Sequence, residues 1–276
     1  MQFDKTWIAI RERSFADILD LAARVARVHG GPLLFLWALG VVPAMVVNHW
    51  ITSTVIDSSQ LGGDDFYSIG ATVALLALLV TIEAPLVTAP MTVFLGQAMF
   101  IERPSARTIA AATVRSLGQL VLLQVVVRGA LILAIWTAAA PFVLWPYLNE
   151  IILLEGNRLW SRRPGRPTTF RRSWALHSRA LGELMGRWVA TMALAAVLTI
   201  SLGLSIWLVR LLLVSTVDYG DMSLYTFDVQ AAMWLVAGYV TIARFLSYLD
   251  LRIRDEGWEI ELKMRAEGNR LWRQLV

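Results

Sequence analysis

Cysteine is absent from the 276 residues. No disulfide, thiolate metal site or cysteine nucleophile can therefore be built. Charge is also scarce, at 17% of residues against 57% hydrophobic ones. A soluble domain is closer to about 25% charged and 45–50% apolar. There are three histidines, His29, His49 and His177. They are far apart and fall on different predicted levels of the chain, so they do not make one metal site. No G-x-S-x-G, P-loop or H-E-x-x-H pattern is present, and the sequence predicts neither an enzyme nor a cofactor. The first 30 residues lack an uninterrupted apolar stretch and carry Asp4, Lys5, Arg11 and Glu12. That pattern argues against a cleavable signal peptide.

What remains is a succession of long apolar runs. About 20 apolar residues cross a bilayer core of about 30 Å. The runs 33–53, 67–101, 117–138, 141–157, 188–214 and 227–249 predict an all-α, polytopic transmembrane bundle of about six spans. The second run holds Glu83, Pro85 and Pro90; it reads as one span kinked at the prolines, or else as a helical hairpin at Pro85. Two amphipathic helices join the spans. Residues 14–29 open with Ser14 and Asp17 in capping-box spacing. Phe15, Ile18, Leu19, Ala22, Val25 and Val28 fall on one face, for burial at the interface or against the bundle. Residues 168–185 place Phe170, Trp174, His177, Leu181 and Leu184 on a common face. The domain reading is an interfacial segment 1–30, a membrane unit 31–249 and a charged tail 250–276.

Basic residues set the orientation. Of 25 Lys and Arg, only Arg128, Arg210 and Arg244 lie inside predicted spans. The other 22 fall in the amino-terminal segment, the stretches 102–116 and 158–187, and the tail. The segments 54–66 and 215–226 are acidic and hold none. This asymmetry predicts both termini on the cytoplasmic side of an inner membrane. The net charge of +4 then reflects Arg-rich loops and a membrane surface, not nucleic acid.

The chain also resembles itself. Ala84-Pro85-Leu86-Val87-Thr88-Ala89-Pro90 aligns with Ala140-Pro141-Phe142-Val143-Leu144-Trp145-Pro146. Arg115-Ser116-Leu117-Gly118-Gln119-Leu120 aligns with Arg179-Ala180-Leu181-Gly182-Glu183-Leu184. The expectation is an internal repeat of about 67–120 and 123–184.

Two motifs resemble a known family. One is Pro146 with Leu154-Glu155-Gly156, followed by Arg172-Ser173-Trp174 and Leu176. The other is Tyr248-Leu249-Asp250-Leu251-Arg252-Ile253-Arg254-Asp255-Glu256-Gly257, with Trp258 and Glu259 after it. Together they are similar to bacterial six-span proteins typified by the membrane domain fused to some glycerophosphodiester phosphodiesterases. The resemblance covers most of residues 15–262. It implies the six-span fold. The catalytic barrel is absent, so the phosphodiesterase activity does not come with it.

Three groups of residues are candidates for function. Ionisable residues inside spans are costly and pair or face a cavity. Arg128 is expected to pair with Glu83 or Glu150, as an internal clamp or as a polar site for a substrate or proton. Arg210 and Arg244 lie near span ends and are expected to snorkel. Glu155 is expected to dock the following helix through Arg171, Arg172 or its opening amides. Alternatively, Arg171, Arg172 and Arg179, with Trp174, would hold an anionic lipid headgroup. Asp250, Arg252, Arg254 and Glu256, with Glu155, would pair with the 158–172 linker or present a docking face to a soluble partner. The sequence favours a non-enzymatic scaffold or partner subunit of a membrane complex. Its rival is a small transporter or lipid-handling permease using the buried charges.

Overall fold

A computed structural model describes residues 13–59, 66–101, 103–159, 168–178, 180–213 and 222–255. Among them there is no strand, and the chain is an all-α bundle as the hydropathy predicts. The helices are α1 (Phe15–Val28), α2 (Gly30–Ser59), α3 (Phe66–Val87), α4 (Ala89–Ala98) and α5 (Ala106–Leu133). They continue with α6 (Ala140–Leu144), α7 (Leu148–Glu150), α8 (Thr169–His177), α9 (Leu181–Leu213) and α10 (Met222–Asp255). Among the described residues, α2, α3, α5, α9 and α10 are long and apolar enough to cross a bilayer. This is a multi-pass membrane protein.

α1 begins as the capping spacing requires. Ser14 Oγ accepts from the Asp17 amide at 3.2 Å and the Asp17 carboxylate accepts from the Ser14 amide at 3.3 Å, so two orphan amides of the first turn are satisfied. Its apolar face, Ile18, Ala22 and Val25, is buried. The helix packs on α10, where Tyr239 donates to the Leu19 carbonyl at 2.9 Å. It is a bundle helix, not one lying free along an interface. Gly30, Gly31 and Pro32 occupy the first turn of α2, where proline costs no intrahelical hydrogen bond.

α3 and α4 are one path bent at Thr88. The Thr88 amide still reaches the Ala84 carbonyl at 2.9 Å and the Thr92 amide reaches Thr88 at 3.2 Å. The kinked-span reading of 67–101 therefore describes this stretch, and the hairpin does not. α4 is buried on several sides, with Met91, Thr92, Val93, Phe94 and Leu95 all enclosed. It forms the centre of the largest core cluster, together with α1, α5 and α10. α10 crosses α2 at Gly238, where an added Cβ would stand 2.9 Å from the Trp37 ring. The Trp37 indole N–H donates to the Trp234 carbonyl at the same crossing, at 2.9 Å.

The expected fourth span departs most from its reading. Residues 140–155 form α6, a break at Trp145-Pro146, then α7 opening into a wide π-helical turn, Ile151–Glu155. Pro146 cannot continue a helix begun before it. The broken segment survives because Leu148, Asn149, Glu150, Ile151, Ile152 and Leu153 are buried against protein, where irregular backbone is tolerated at membrane depth. Its composition is that of a span, and its surroundings are those of a core.

The second amphipathic helix also differs. α8 ends at His177, and α9 runs unbroken from Leu181. The buried face of α8 is Thr169, Ser173, Leu176 and His177, while Phe170 and Trp174 stay exposed. Polar contacts from outside the helix select that face: Gln119 donates to Thr169 Oγ1 at 2.7 Å, and Thr169 Oγ1 donates to the Asn157 carbonyl at 2.9 Å. Within α8, Ser173 Oγ lies 3.0 Å from His177 Nδ1.

Candidate functional site

Glu83, Arg128 and Glu150 do not form one cluster. Arg128 follows a π-helical stretch of α5, Val121–Val127. The wide turn rotates the residues after it relative to a regular helix, and such turns are frequent at functional sites. Arg128 is buried, yet it forms no ion pair among the described residues. Its guanidinium stands 4.7 Å over the Phe142 ring, a cation–π arrangement that stabilises a desolvated cation in part. Among the described residues its one polar contact is Gln124 Oε1 at 3.4 Å.

Glu150 pairs instead with Arg244. The Arg244 Nη2 donates to Glu150 Oε2 at 3.2 Å and to the Pro146 carbonyl at 2.7 Å. Arg244 was expected to snorkel. It does not, because α10 carries it past the break at Pro146, where a free carbonyl and a buried carboxylate both need a donor. Arg210 is likewise paired, 2.9 Å from Asp228. Glu83 lies on the α2 side of α3, facing Asn48.

Arg128 and Arg244 line a cavity of about 410 Å³ bounded by α3, α5, the 140–155 segment, α9 and α10. Most of its wall is apolar, drawn from residues such as Val80, Leu123, Phe142, Met192, Ile200 and Val236. Among the described residues the wall holds three arginines, the third being Arg187, and no acidic residue. Glu150 stands behind Arg244, and Asp250 behind Arg187 at 2.9 Å. Arg128 alone makes no ion pair among the described residues, although Glu150 lies within its electrostatic reach. The Trp188 indole N–H is a buried donor in this wall with no partner. Its ring lies 5.6 Å from that of Phe142. The site is an apolar chamber with one cation that closes no ion pair among the described residues and a spare donor beside it. α9, its outer wall, buries no side chain beyond Arg187.

The remaining candidates are internal fastenings. Glu155 ends the 140–155 segment and is followed by Gly156 at φ 62°, a left-handed turn that glycine adopts without strain. Its carboxylate accepts from Arg172 Nε at 2.9 and 3.1 Å, from Tyr248 Oη at 2.8 Å and from Asn157 Nδ2 at 2.9 Å. Arg172 Nε therefore points inward, toward Glu155. Arg171 and Trp174 are exposed on α8, and Arg179 lies outside the described residues.

Asp250 is 1% exposed. It accepts from the Arg13 amide at 2.9 Å and pairs with Arg187 at 2.9 Å and Arg254 at 3.2 Å. Arg254 also holds Glu183 at 2.8 Å. The tail motif thus clips α1, α9 and α10 together. It neither reaches the 158–172 linker through Asp250 nor turns that carboxylate outward as a docking face, because three donors hold it inside. Arg252 is half-buried on the same turn of α10, and Glu256 lies outside the described residues. His177 is buried beside Tyr147, ring centroids 5.7 Å apart. Burial pushes its imidazole down to about 4. Among the described residues no three His, Asp or Glu are placed to hold a metal.

No family model, curated protein or solved structure matches the chain. The resemblance drawn from the two motifs stands on those residues alone.

Sequence reasoning missed the cavity. Its wall is assembled from scattered Ala, Thr and aromatic residues that look like ordinary span composition. The usable signal was an unpaired arginine, Arg128, inside an apolar run.

Proposed function

We propose that this protein handles an anionic amphiphile within the cytoplasmic membrane, binding its headgroup at Arg128 and its apolar part along the chamber wall. This is the lipid-handling reading, preferred over the scaffold. The observation that carries it is that no acid closes an ion pair with Arg128 among the described residues, in a chamber otherwise suited to acyl or similar groups. A clamp built for stability would neutralise that cation internally, since an unpaired buried charge is costly. An anionic ligand supplies the missing partner. Apolar pockets of about 300–1,000 Å³ with few convergent polar groups are the usual form of small-ligand sites. The distribution of Lys and Arg supports an orientation with both termini in the cytoplasm.

Native mass spectrometry of the full chain with phosphatidylglycerol, and with phosphatidylcholine of the same chains, tests this reading. Wild type retains the anionic lipid over the zwitterionic one, Arg128→Gln loses the preference, and Arg171→Gln keeps it. Equal retention of phosphatidylglycerol by wild type and Arg128→Gln overturns the proposal.

A further inference from the structure

A second polar site lies beside the chamber, between α2, α3 and α10, and shares Val80 with it. Val41, Met45, Val80 and Trp234 form the apolar floor of this interface. One turn along from Met45 is Asn48, and one turn along from Val80 is Glu83. Asn48 is fully buried. Neither its Oδ1 nor its Nδ2 has a hydrogen-bond partner, and Glu83 Oε2 has none. The two side chains face each other without closing a hydrogen bond of good geometry.

Donor counting decides the state of this pair. An ionised carboxylate only accepts, whereas an amide carries one acceptor and two donors. With Glu83 ionised, Asn48 Oδ1 has no donor and a charge is left in an apolar interface. With Glu83 protonated, its O–H serves Asn48 Oδ1 and its carbonyl oxygen accepts from Asn48 Nδ2. Both groups are then satisfied and no charge is buried. The same interface also holds two buried donors without partners, Trp234 Nε1 and Gln230 Nε2.

Charges on the surrounding helices are engaged elsewhere. On α5, Arg128 stacks on Phe142. On α10, Arg244 holds Glu150 and Asp228 holds Arg210. α4 carries no titratable side chain. On α2, His49 is next in sequence to Asn48, about 100° further round the helix.

We propose that Glu83 and Asn48 form a proton-binding site inside the membrane, Glu83 taking up and releasing the proton and Asn48 holding the protonated form. The proton comes from water and returns to it, and nothing is oxidised or reduced.

Infrared difference spectroscopy of the full chain in liposomes, titrated from acid to alkaline pH, tests the site. Wild type shows a carboxylic-acid C=O band that is lost on raising the pH. The band is missing at every pH in Glu83→Gln and displaced in frequency in Asn48→Leu. Superimposable wild-type and Glu83→Gln spectra across the titration overturn the proposal. A midpoint that moves with sodium at constant ionic strength also overturns it, since the site would then take a metal cation. A measurement on the wild type alone guards against a misfolded variant. Dicyclohexylcarbodiimide adds to protonated carboxyls, so its mass label on the Glu83 peptide fades as pH rises. A label that is absent or unchanged with pH refutes the site.

Discussion

Replacing Arg244 by leucine isolates what the charges of the bundle contribute to its stability. Glu150 is 1% exposed, and Arg244 is its ion-pair partner at 3.2 Å. Arg244→Leu leaves a buried carboxylate alone and takes the donor from the Pro146 carbonyl. Removing one partner of a buried pair costs about 3–5 kcal/mol. Two features hold the loss to the lower figure. The Arg244 side chain is 28% exposed, and Arg128 lies within electrostatic reach of Glu150. A loss of about 3 kcal/mol, at about 2–4 °C per kcal/mol for chains approaching this size, lowers the melting temperature by about 6–12 °C. Adding Glu150→Gln to Arg244→Leu restores more than half of that drop, because no buried carboxylate is left without a partner. Arg128→Leu behaves differently. It removes a cation that has no ion pair, so the melting temperature in detergent stays level or rises. Thermal unfolding of the four proteins in one detergent gives the comparison. If Arg244→Leu melts with wild type, or Arg128→Leu falls below Arg244→Leu, the assignment of pairs is wrong.

The second fastening predicts a local effect: Arg172→Gln or Glu155→Gln releases α8, and amide exchange over residues 168–178 rises several-fold while α2 and α10 are unchanged. His177 predicts an acid sensitivity. Its folded value of about 4 lies below the ordinary 6.5, so the folded state resists protonation. Stability is full above pH 6.5 and declines as pH falls from there toward 4. His177→Gln flattens that part of the stability profile, and a profile unchanged by the substitution refutes the burial argument. For topology, reporter fusions after Asp65 and Asp221 report the outer side, and fusions after Arg107, Arg166 and Arg273 the cytoplasm. An outer signal at Arg166 would mean that the broken 140–155 segment does not carry the chain across.

Hydropathy located the long helices because each is apolar for more than the thickness of a bilayer. The Ser14–Asp17 cap was legible for the same local reason: its chemistry is complete within four residues. Residues 141–157 were not legible as a broken element. A segment buried in protein and one buried in lipid have the same composition, and only Pro146 hinted at the interruption. Pairing was least accessible. The sequence marks Glu150, Arg128 and Arg244 as expensive, but which of them meet depends on the relative rotation and depth of α5 and α10. Phe170 and Trp174 misled for a related reason. Their apolar character marked them as the buried face of α8, whereas Gln119 and the Asn157 carbonyl, both bonded to Thr169, turn that helix the other way.

The π-helical stretch of α5 acts as an extra residue inserted into an otherwise regular helix. Deleting one residue between Val121 and Val127 would let the α-helical register close, and because the wide turn already absorbs the additional residue, Arg128 would keep its facing toward Phe142. One residue inserted in the regular turns before Val121 has no such slack. It would turn Arg128 by about 100° and advance it by about 1.5 Å, away from the ring of Phe142. The wide turn therefore marks where the length of α5 can change by one codon without moving the chamber's arginine.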